Sequence, residues 1–238
     1  MLSVERIGKS FGGVRALQDV SFTVPERSIF GIMGANGAGK TTLFAIIAGN
    51  LAPSGGAVRL RDLRLTGLPP HRVAAAGVAR TFQIVRPFRG LSVQENVETA
   101  LRFGARDRPA AAPADAAAIL GLTGLDGAAG RPAGALTLAQ QKRLEVARAL
   151  ATGPQLLMLD EVMAGLTPAE VQDTIAMVRR ILDDMGVTVM IIEHVMGALM
   201  ALSDHVVVLD HGELIASGPP AQVADDPAVR SAYLGRRH

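Results

Sequence analysis

The sequence predicts an α/β fold with a mixed β-sheet core, an antiparallel β-rich N-terminal part and a small helical region. Three observations predict it. Short apolar, β-like runs open the chain, and two of them are joined by the tight turn Pro25-Glu-Arg27. A glycine-rich loop, Gly34-Ala-Asn-Gly-Ala-Gly-Lys40-Thr41, separates an apolar run from a helix. From Leu138 onward, helical and strand-like segments alternate, the pattern of a parallel sheet covered on both faces.

The opening runs are Leu2–Ile7, Val20–Val24 and Ser28–Met33. Thr42–Ala48 is expected to be the helix that leaves the loop. Pro53-Ser-Gly-Gly56 interrupts the pattern, and Ala57–Leu60 resumes it as a strand. Pro69–Ala76 is helical in composition, and Gly77–Phe82 reads as a strand ending at Gln83. Ser92 with Glu95 is a capping-box pair, which predicts a helix over Val93–Phe103. Arg106–Pro113 reads as a surface loop, Ala114–Leu122 as a short helix and Gly124–Gly134 as another loop.

The alternating part predicts a helix over Leu138–Leu150 and a strand over Gln155–Leu159. Thr167-Pro168-Ala-Glu170 combines an N-cap, a proline at the first helical position and a capping glutamate, opening a helix to about Asp184. Strands follow at Val187–Ile192 and Val206–Leu209, and Asp210-His-Gly-Glu213 turns a hairpin into Leu214–Ser217.

The loop carries the clearest chemistry. Its glycines let successive backbone N–H groups face a polyphosphate, and the helix N-terminus adds its positive end. Lys40 is placed for β- and γ-phosphates and the Thr41 hydroxyl for magnesium. Nucleoside triphosphate binding follows, with Gly34, Asn36, Gly37, Ala38, Gly39, Lys40, Thr41 and Thr42 as the expected contacts. Some 120 residues on, Gln155-Leu-Leu-Met-Leu-Asp160-Glu161 is an apolar strand ending in two acids. Asp160 suits a magnesium ion held through water, and Glu161 suits polarising an attacking water. His194 ends a third apolar run and can meet a γ-phosphate or simply be solvated. Gln83 can ligate magnesium through its amide or be an ordinary exposed glutamine, and spacing does not separate these. His71, His205, His211 and His238 carry only the reading of solvated histidines.

Composition narrows the classes. The chain has 238 residues, 49% of them hydrophobic, which excludes wholesale disorder. A net charge of +2 without a dense basic run gives no nucleic-acid footprint. There is no cysteine, so disulfides and thiolate metal sites are excluded. The N-terminus has an early acid and no long apolar core, so no signal peptide is expected, and no run approaches the ~18–20 apolar residues that span a bilayer.

Taken in order, these pieces resemble the nucleotide-binding subunit of an ATP-binding cassette (ABC) transporter, over essentially the whole chain. The resemblance rests on the phosphate loop, Thr81-Phe-Gln83, Leu136-Thr-Leu-Ala-Gln140, Asp160-Glu161 and His194. It implies a P-loop NTPase (ABC ATPase) fold in one domain over residues 1–238. Residues 1–83 and 135–238 would form the catalytic core with its β subdomain, and 84–134 the helical subdomain. It implies ATP and Mg2+ as cofactors, with Thr41, Gln83 and Asp160 toward the metal and Phe11 stacking on adenine. It further implies catalytic roles for Glu161, His194 and Lys40, and a dimer in which Thr137, Ala139 and Gln140 face the partner's nucleotide.

Finer wording is similar to the branched-chain amino-acid uptake branch: Gly77-Val-Ala-Arg-Thr-Phe-Gln83, Glu95-Asn-Val97, Ala164-Gly-Leu166, Ile191-Ile-Glu-His194 and the ending Asp226–Gly235. Partners in that branch are a second ATPase subunit (a paralogue or another copy), two transmembrane permease subunits and, indirectly, an extracytoplasmic solute-binding protein. Nucleic acid is not among them, and the expected location is the cytoplasmic face of the inner membrane. The solute implied is a branched-chain amino acid or a related small polar solute, since related systems of that branch carry urea, short amides or aromatic acids; an exporter motor uses the same chemistry. A soluble ABC-type ATPase would carry coiled-coil insertions or tandem cassettes, which are absent, and a GTPase switch would carry a guanine-reading Asn-Lys-x-Asp.

Several positions depart from the family pattern. Thr137, Leu138 and Ala139 stand where Ser-Gly-Gly is usual. The Ala139 methyl is expected to hinder backbone approach to phosphate and to penalise positive φ, so that this chain completes its partner's site less effectively. Val162 replaces a common proline after Glu161 and is expected to loosen that turn. Thr167 stands where an aspartate is common.

Overall fold

The computed structural model describes residues 1–82, 86–104, 112–113 and 115–234. Gln83, most of the expected 106–113 loop, Gly235 and His238 lie outside them. The chain divides into two compact units, residues 1–73 with 190–238 and residues 74–189.

The first unit opens with β1 (Leu2–Phe11) and β2 (Val14–Val24), an antiparallel pair longer at both inner ends than the apolar runs alone indicated. β3 (Ile29–Gly34) is buried at all six positions and leads into α1 (Lys40–Ile47). β4 (Gly55–Leu60) and β5 (Leu63–Arg64) follow, then α2 (Pro70–Ala75), which reaches the boundary of the unit. β2, β1, β4 and β5 form a four-stranded antiparallel sheet in that order. Leu2–Ile7 and Val20–Val24 fall in this antiparallel sheet, whereas Ser28–Met33, joined to β2 by the Pro25-Glu-Arg27 turn, becomes β3 of the other sheet and does not pair with β2.

In the second unit, β6 (Val78–Arg80) is followed by α3 (Val93–Leu101) and α4 (Ala116–Thr123). The Ser92–Glu95 capping box forms in both directions at the start of α3. Two 3₁₀ turns, Asp126–Ala128 and Ala133–Ala135, punctuate the expected loop before α5 (Leu138–Ala151). β7 (Leu156–Asp160) runs parallel to β6. α6 (Pro168–Met185) then buries Val171, Thr174, Val178, Ile181 and Met185, the three-to-four spacing of one helical face. β8 (Thr188–Ile192) closes the unit with its first two residues and enters the first unit with its last three.

Back in the first unit come α7 (Met196–Leu202), β9 (His205–Asp210), β10 (Glu213–Gly218), α8 (Pro220–Asp225) and α9 (Pro227–Leu234). β9 is parallel to β3 and antiparallel to β10, so the second sheet is mixed. Its order in the first unit is β10-β9-β3, with residues 190–192 of β8 next to β3. In the second unit, residues 188–189 of β8, β7 and β6 follow one another. β3, β7 and β8 expose no residue, as strands covered on both faces must. Among the described residues no helix is long and apolar enough to cross a membrane.

Three of the four remaining histidines lie among the described residues. His205 is not simply solvated: its ring stacks on Phe30 at 5.2 Å and bonds Ser217 Oγ at 2.9 Å. His211 is exposed, with 93% of its side chain accessible.

At the start of α6 the Thr167 hydroxyl accepts the Glu170 N–H at 3.4 Å while Glu170 accepts the Thr167 N–H at 2.8 Å. Thr167 is thus a helix cap whatever else it does. Thr167→Ala is expected to lower the free energy of unfolding by about 1 kcal/mol, read as a lower urea midpoint at unchanged slope.

Candidate functional site

In the first unit, the loop between β3 and α1 is shaped by two close approaches. A Cβ on Gly34 would lie 2.5 Å from the Leu209 carbonyl oxygen and 2.9 Å from Ala38 Cβ. Gly39 has φ 103, and a Cβ there would lie 2.6 Å from the Ala16 oxygen and 2.7 Å from Leu17 Cδ2. Only glycine fits either place. Gly39 is also the N-cap of α1, with no side chain capping the helix. Its first N–H groups and their dipole are therefore arranged as an anion site requires.

Lys40 is 5% exposed and its ammonium folds back over the loop, donating to the carbonyls of Gly34 at 2.7 Å and Ala35 at 2.9 Å. Asn36, Gly37 and Thr41 are exposed and Thr42 is half-buried. Ala38 is buried, its N–H bonding the Ala35 oxygen at 3.1 Å and its carbonyl accepting from Gly212 N–H at 3.1 Å. It braces the loop from inside.

Phe11 ends β1 with 48% exposure, so it is not a core side chain. Lys9 Nζ sits 5.0 Å from the ring centroid and donates to the Ala52 oxygen at 2.8 Å. His194 follows β8 by two residues and is exposed. An open cleft of about 880 Å³ lies beside β1 and β2, lined by Lys9, Ser10, Arg15, Gln18 and Ser54 among others. None of its lining residues belongs to the phosphate loop. A phosphate is held by backbone N–H groups rather than by enclosure, which the loop supplies and the cleft does not.

In the second unit, β7 carries Asp160 to its end with 2% exposure. Arg80, on β6, meets Asp160 Oδ2 at 2.6 Å, and the Asp160 N–H bonds Thr81 Oγ1 at 3.0 Å. The side chains of this ion pair are 10% and 2% exposed, so the charge is both buried and matched. Glu161 follows with φ 54, a left-handed conformation uncommon outside glycine. Its carbonyl accepts a hydrogen bond from Lys142 Nζ at 2.7 Å. Val162 is buried at 4% exposure and packs as core.

Glu145, on α5, accepts the Phe82 N–H at 3.0 Å, one residue before Gln83. Desolvation pushes its carboxyl up to about 7, against the opposing bond from Phe82 and the cations of Arg148 and Lys142. Arg148 donates to the Arg86 carbonyl at 2.9 Å and covers the Phe88 ring at 4.8 Å.

At the start of α5, Thr137 and Gln140 form a reciprocal capping box. Thr137 Oγ1 accepts the Gln140 N–H at 3.3 Å, and Gln140 Oε1 accepts the Thr137 N–H at 3.2 Å. Ala139 lies inside this helix, 7% exposed and without positive φ. The expected backbone penalty of its methyl is therefore absent; only the steric part of that argument survives.

A family model described as "ABC transporter" matches residues 17–164. The chain belongs to that family. A second model, "Branched-chain amino acid ATP-binding cassette transporter", matches residues 213–238. This ABC protein is 39% identical over 249 residues to the high-affinity branched-chain amino acid transport ATP-binding protein BraF of Pseudomonas aeruginosa. The match covers 99% of this chain and 98% of BraF. It is 38% identical to LivG of Escherichia coli K12, a protein of the same description, with the same coverage. Among solved structures it matches a nucleotide-free ATP-binding cassette from an ABC transporter at TM-score 0.87 and 30% identity, covering 99% of each chain. It matches the ADP conformation of such a cassette at TM-score 0.86 and 30% identity, over 99% of this chain and 98% of that one. The α/β cassette fold and ATP hydrolysis in the service of transport come with membership.

Sequence reasoning missed Arg80, Thr81, Lys142 and Glu145 as supports of the acids and of the segment entering Gln83. Arg80 had a visible signal, a charge inside an otherwise apolar strand. Lys142 and Glu145 had none, because charged residues on a helix ordinarily face water.

The raised pKa of Glu145 has a direct consequence for this ABC subunit. Between pH 4.5 and about 7 the folded protein keeps a proton that the unfolded chain has released, so stability falls as pH rises through that window. Glu145→Gln keeps an acceptor for Phe82 and cannot ionise. It is expected to be more stable than the parent above pH 7, with the advantage fading toward pH 4.5, in urea titrations at both ends of the range.

Proposed function

We propose that the chain is the ATP-hydrolysing subunit of an importer for branched-chain amino acids. One observation carries the branch assignment. Residues 213–238, comprising β10, α8 and α9, match the branched-chain model yet hold none of the residues assigned to phosphate or water. They therefore report lineage rather than shared ATPase chemistry. The near-complete coverage of BraF and LivG supports the same reading.

Within that reading, backbone N–H groups of Gly34, Asn36, Gly37 and Gly39 and the start of α1 hold the phosphates, with Ala38 shaping the loop behind them. Lys40 exchanges its loop carbonyls for β- and γ-oxygens, and Thr42 lies at the same helix end. Phe11 stacks on adenine by the face opposite Lys9. Glu161 orients and deprotonates the attacking water, and His194 reads the γ-phosphate. Thr137, Ala139 and Gln140 meet the nucleotide of a second ATPase subunit.

The hydroxyl of Thr41 and the carboxylate of Asp160 are the hard oxygen donors that Mg2+ prefers, and Gln83 adds an amide oxygen. Magnesium, when bound, would neutralise charge between the β- and γ-phosphates. Segment 84–134 is assigned as the lobe that meets two membrane permeases, which place the chain at the cytoplasmic face. A solute-binding protein acts from the other side.

Two measurements test these assignments. Glu161→Gln is expected to lose steady-state hydrolysis by a factor of about 100 or more while ATP still binds; full turnover would remove Glu161 as the base. For the substrate, the chain co-purified with its membrane partners and reconstituted in vesicles is expected to hydrolyse ATP faster with leucine and the external binding protein present. Stimulation by urea or an aromatic acid instead, with none by leucine, would overturn branched-chain amino acids as the solute.

A further inference from the structure

Glu161 stands in an awkward conformation that its surroundings enforce. On its N-terminal side, β7 is buried throughout. On its C-terminal side, Val162 and Met163 are buried at 4% and 1% exposure. Between these two anchors the chain turns through φ 54 at Glu161, where a side chain with a Cβ is disfavoured by about 1–2 kcal/mol. The direction of the Glu161 side chain depends on that one residue's dihedrals. A peptide plane free to rotate there would swing the carboxylate away from its water.

Donors from the local turn and from α5 hold the plane. The Ala164 N–H reaches the Glu161 carbonyl at 3.3 Å as part of the local turn. The Lys142 ammonium reaches the same oxygen at 2.7 Å from α5. Lys142 is 8% exposed, and burying an ammonium is costly unless its protons find acceptors. A charge placed there at that cost, on a short charge-assisted bond, makes the stronger of the two restraints. Leucine or methionine would fill the same space without the charge.

We propose that Lys142 is a positioning residue for hydrolysis: its ammonium fixes the peptide plane after Glu161 and so aims the Glu161 carboxylate. Lys142 lies five residues after Thr137, on the helix whose first turn carries Thr137 and Gln140. The bond therefore ties the aim of this chain's base to the helix that serves the partner's nucleotide. A shift of α5 when its N-terminus engages phosphate would reach Glu161 through this contact. The proposal rests on the assignment of Glu161 as the base.

The test compares Lys142→Met, which keeps the length and removes the donor, with Lys142→Arg, which restores a charged donor. Both are made in the full chain assembled with its transporter partners, with Glu161→Gln as a reference. Lys142→Met is expected to lower kcat by about 10- to 100-fold, the cost of misplacing a reacting group by an ångström or less, with ATP affinity within about twofold of the parent. Lys142→Arg is expected to recover most of kcat. Added to Glu161→Gln, Lys142→Met is expected to cost nothing further. Normal turnover in Lys142→Met beside an inactive Glu161→Gln overturns this proposal alone. Hydrolysis surviving in Glu161→Gln overturns the base assignment and this proposal with it. Equal losses in Lys142→Met and Lys142→Arg, with ATP affinity falling in parallel, would make Lys142 merely structural. If Lys142→Met does not fold, Lys142→Leu, which also removes the donor, takes its place against Lys142→Arg with the same outcomes.

Discussion

Asp160 brings a negative charge to the end of a strand that is buried along its whole length, and Arg80 meets that charge at 2.6 Å. A carboxylate cannot be left there alone: removing one partner of a buried pair typically costs about 3–5 kcal/mol. The pairing is therefore a constraint on everything around it. It fixes β6 against β7, because Arg80 is a β6 residue, and Thr81 adds its hydroxyl to the Asp160 N–H. It also sets the starting point of the segment that continues into Gln83, since Phe82 is next and its N–H is taken by Glu145. The same unit thus holds a carboxylate suited to magnesium, a carboxylate suited to water and the beginning of the Gln83 segment on one set of hydrogen bonds.

The first unit solves a different problem, delivering backbone N–H groups rather than charge. β3 carries the chain out of the core and Gly39 lets it enter α1 at φ 103 beside Ala16 and Leu17. The buried Ala38, bonded to both Ala35 and Gly212, braces the loop from within. Geometry here comes from steric exclusion of every residue but glycine. In the second unit it comes from paired charge. The two kinds of rigidity respond to different substitutions, one to added methyl groups and the other to lost partners.

How much of this was legible in the sequence follows the same division. Backbone devices were legible: the capping boxes at Ser92–Glu95 and Thr167–Glu170 and the buried runs that became β3, β7 and β8 all form as their patterns require. The inner ends of β1 and β2 were not, because residues such as Arg15, Gln18 and Asp19 are polar and interrupt the apolar run that marks a strand. α7, α8 and α9 are short and carry no reciprocal capping box to announce them. The buried charges were hidden for a physical reason. Lys142, Glu145 and Arg80 are tolerated inside only because tertiary neighbours satisfy them, and those neighbours lie 19, 63 and 80 positions away in sequence. Ala139 was misread because a glycine's usual place suggested positive φ, whereas the helix simply includes it.

The altered signature gains a different meaning from its hydrogen bonds. Thr137 and Gln140 cap α5 through one acceptor oxygen each, Oγ1 of the threonine and Oε1 of the glutamine. A hydroxyl also donates one proton and a side-chain amide two, so the box uses acceptors and leaves the donor capacity of both groups for other partners. Those are the donors that the proposed contact with a second subunit's phosphate would use, and they sit at the positive end of a fourteen-residue helix. Capping and anion recognition therefore do not compete for the same atoms. Thr137 in place of serine keeps both capacities, and the loss of glycine at Ala139 leaves the helical backbone unstrained. What remains of the expected effect is steric, the room that a buried methyl would leave a phosphate in the proposed contact.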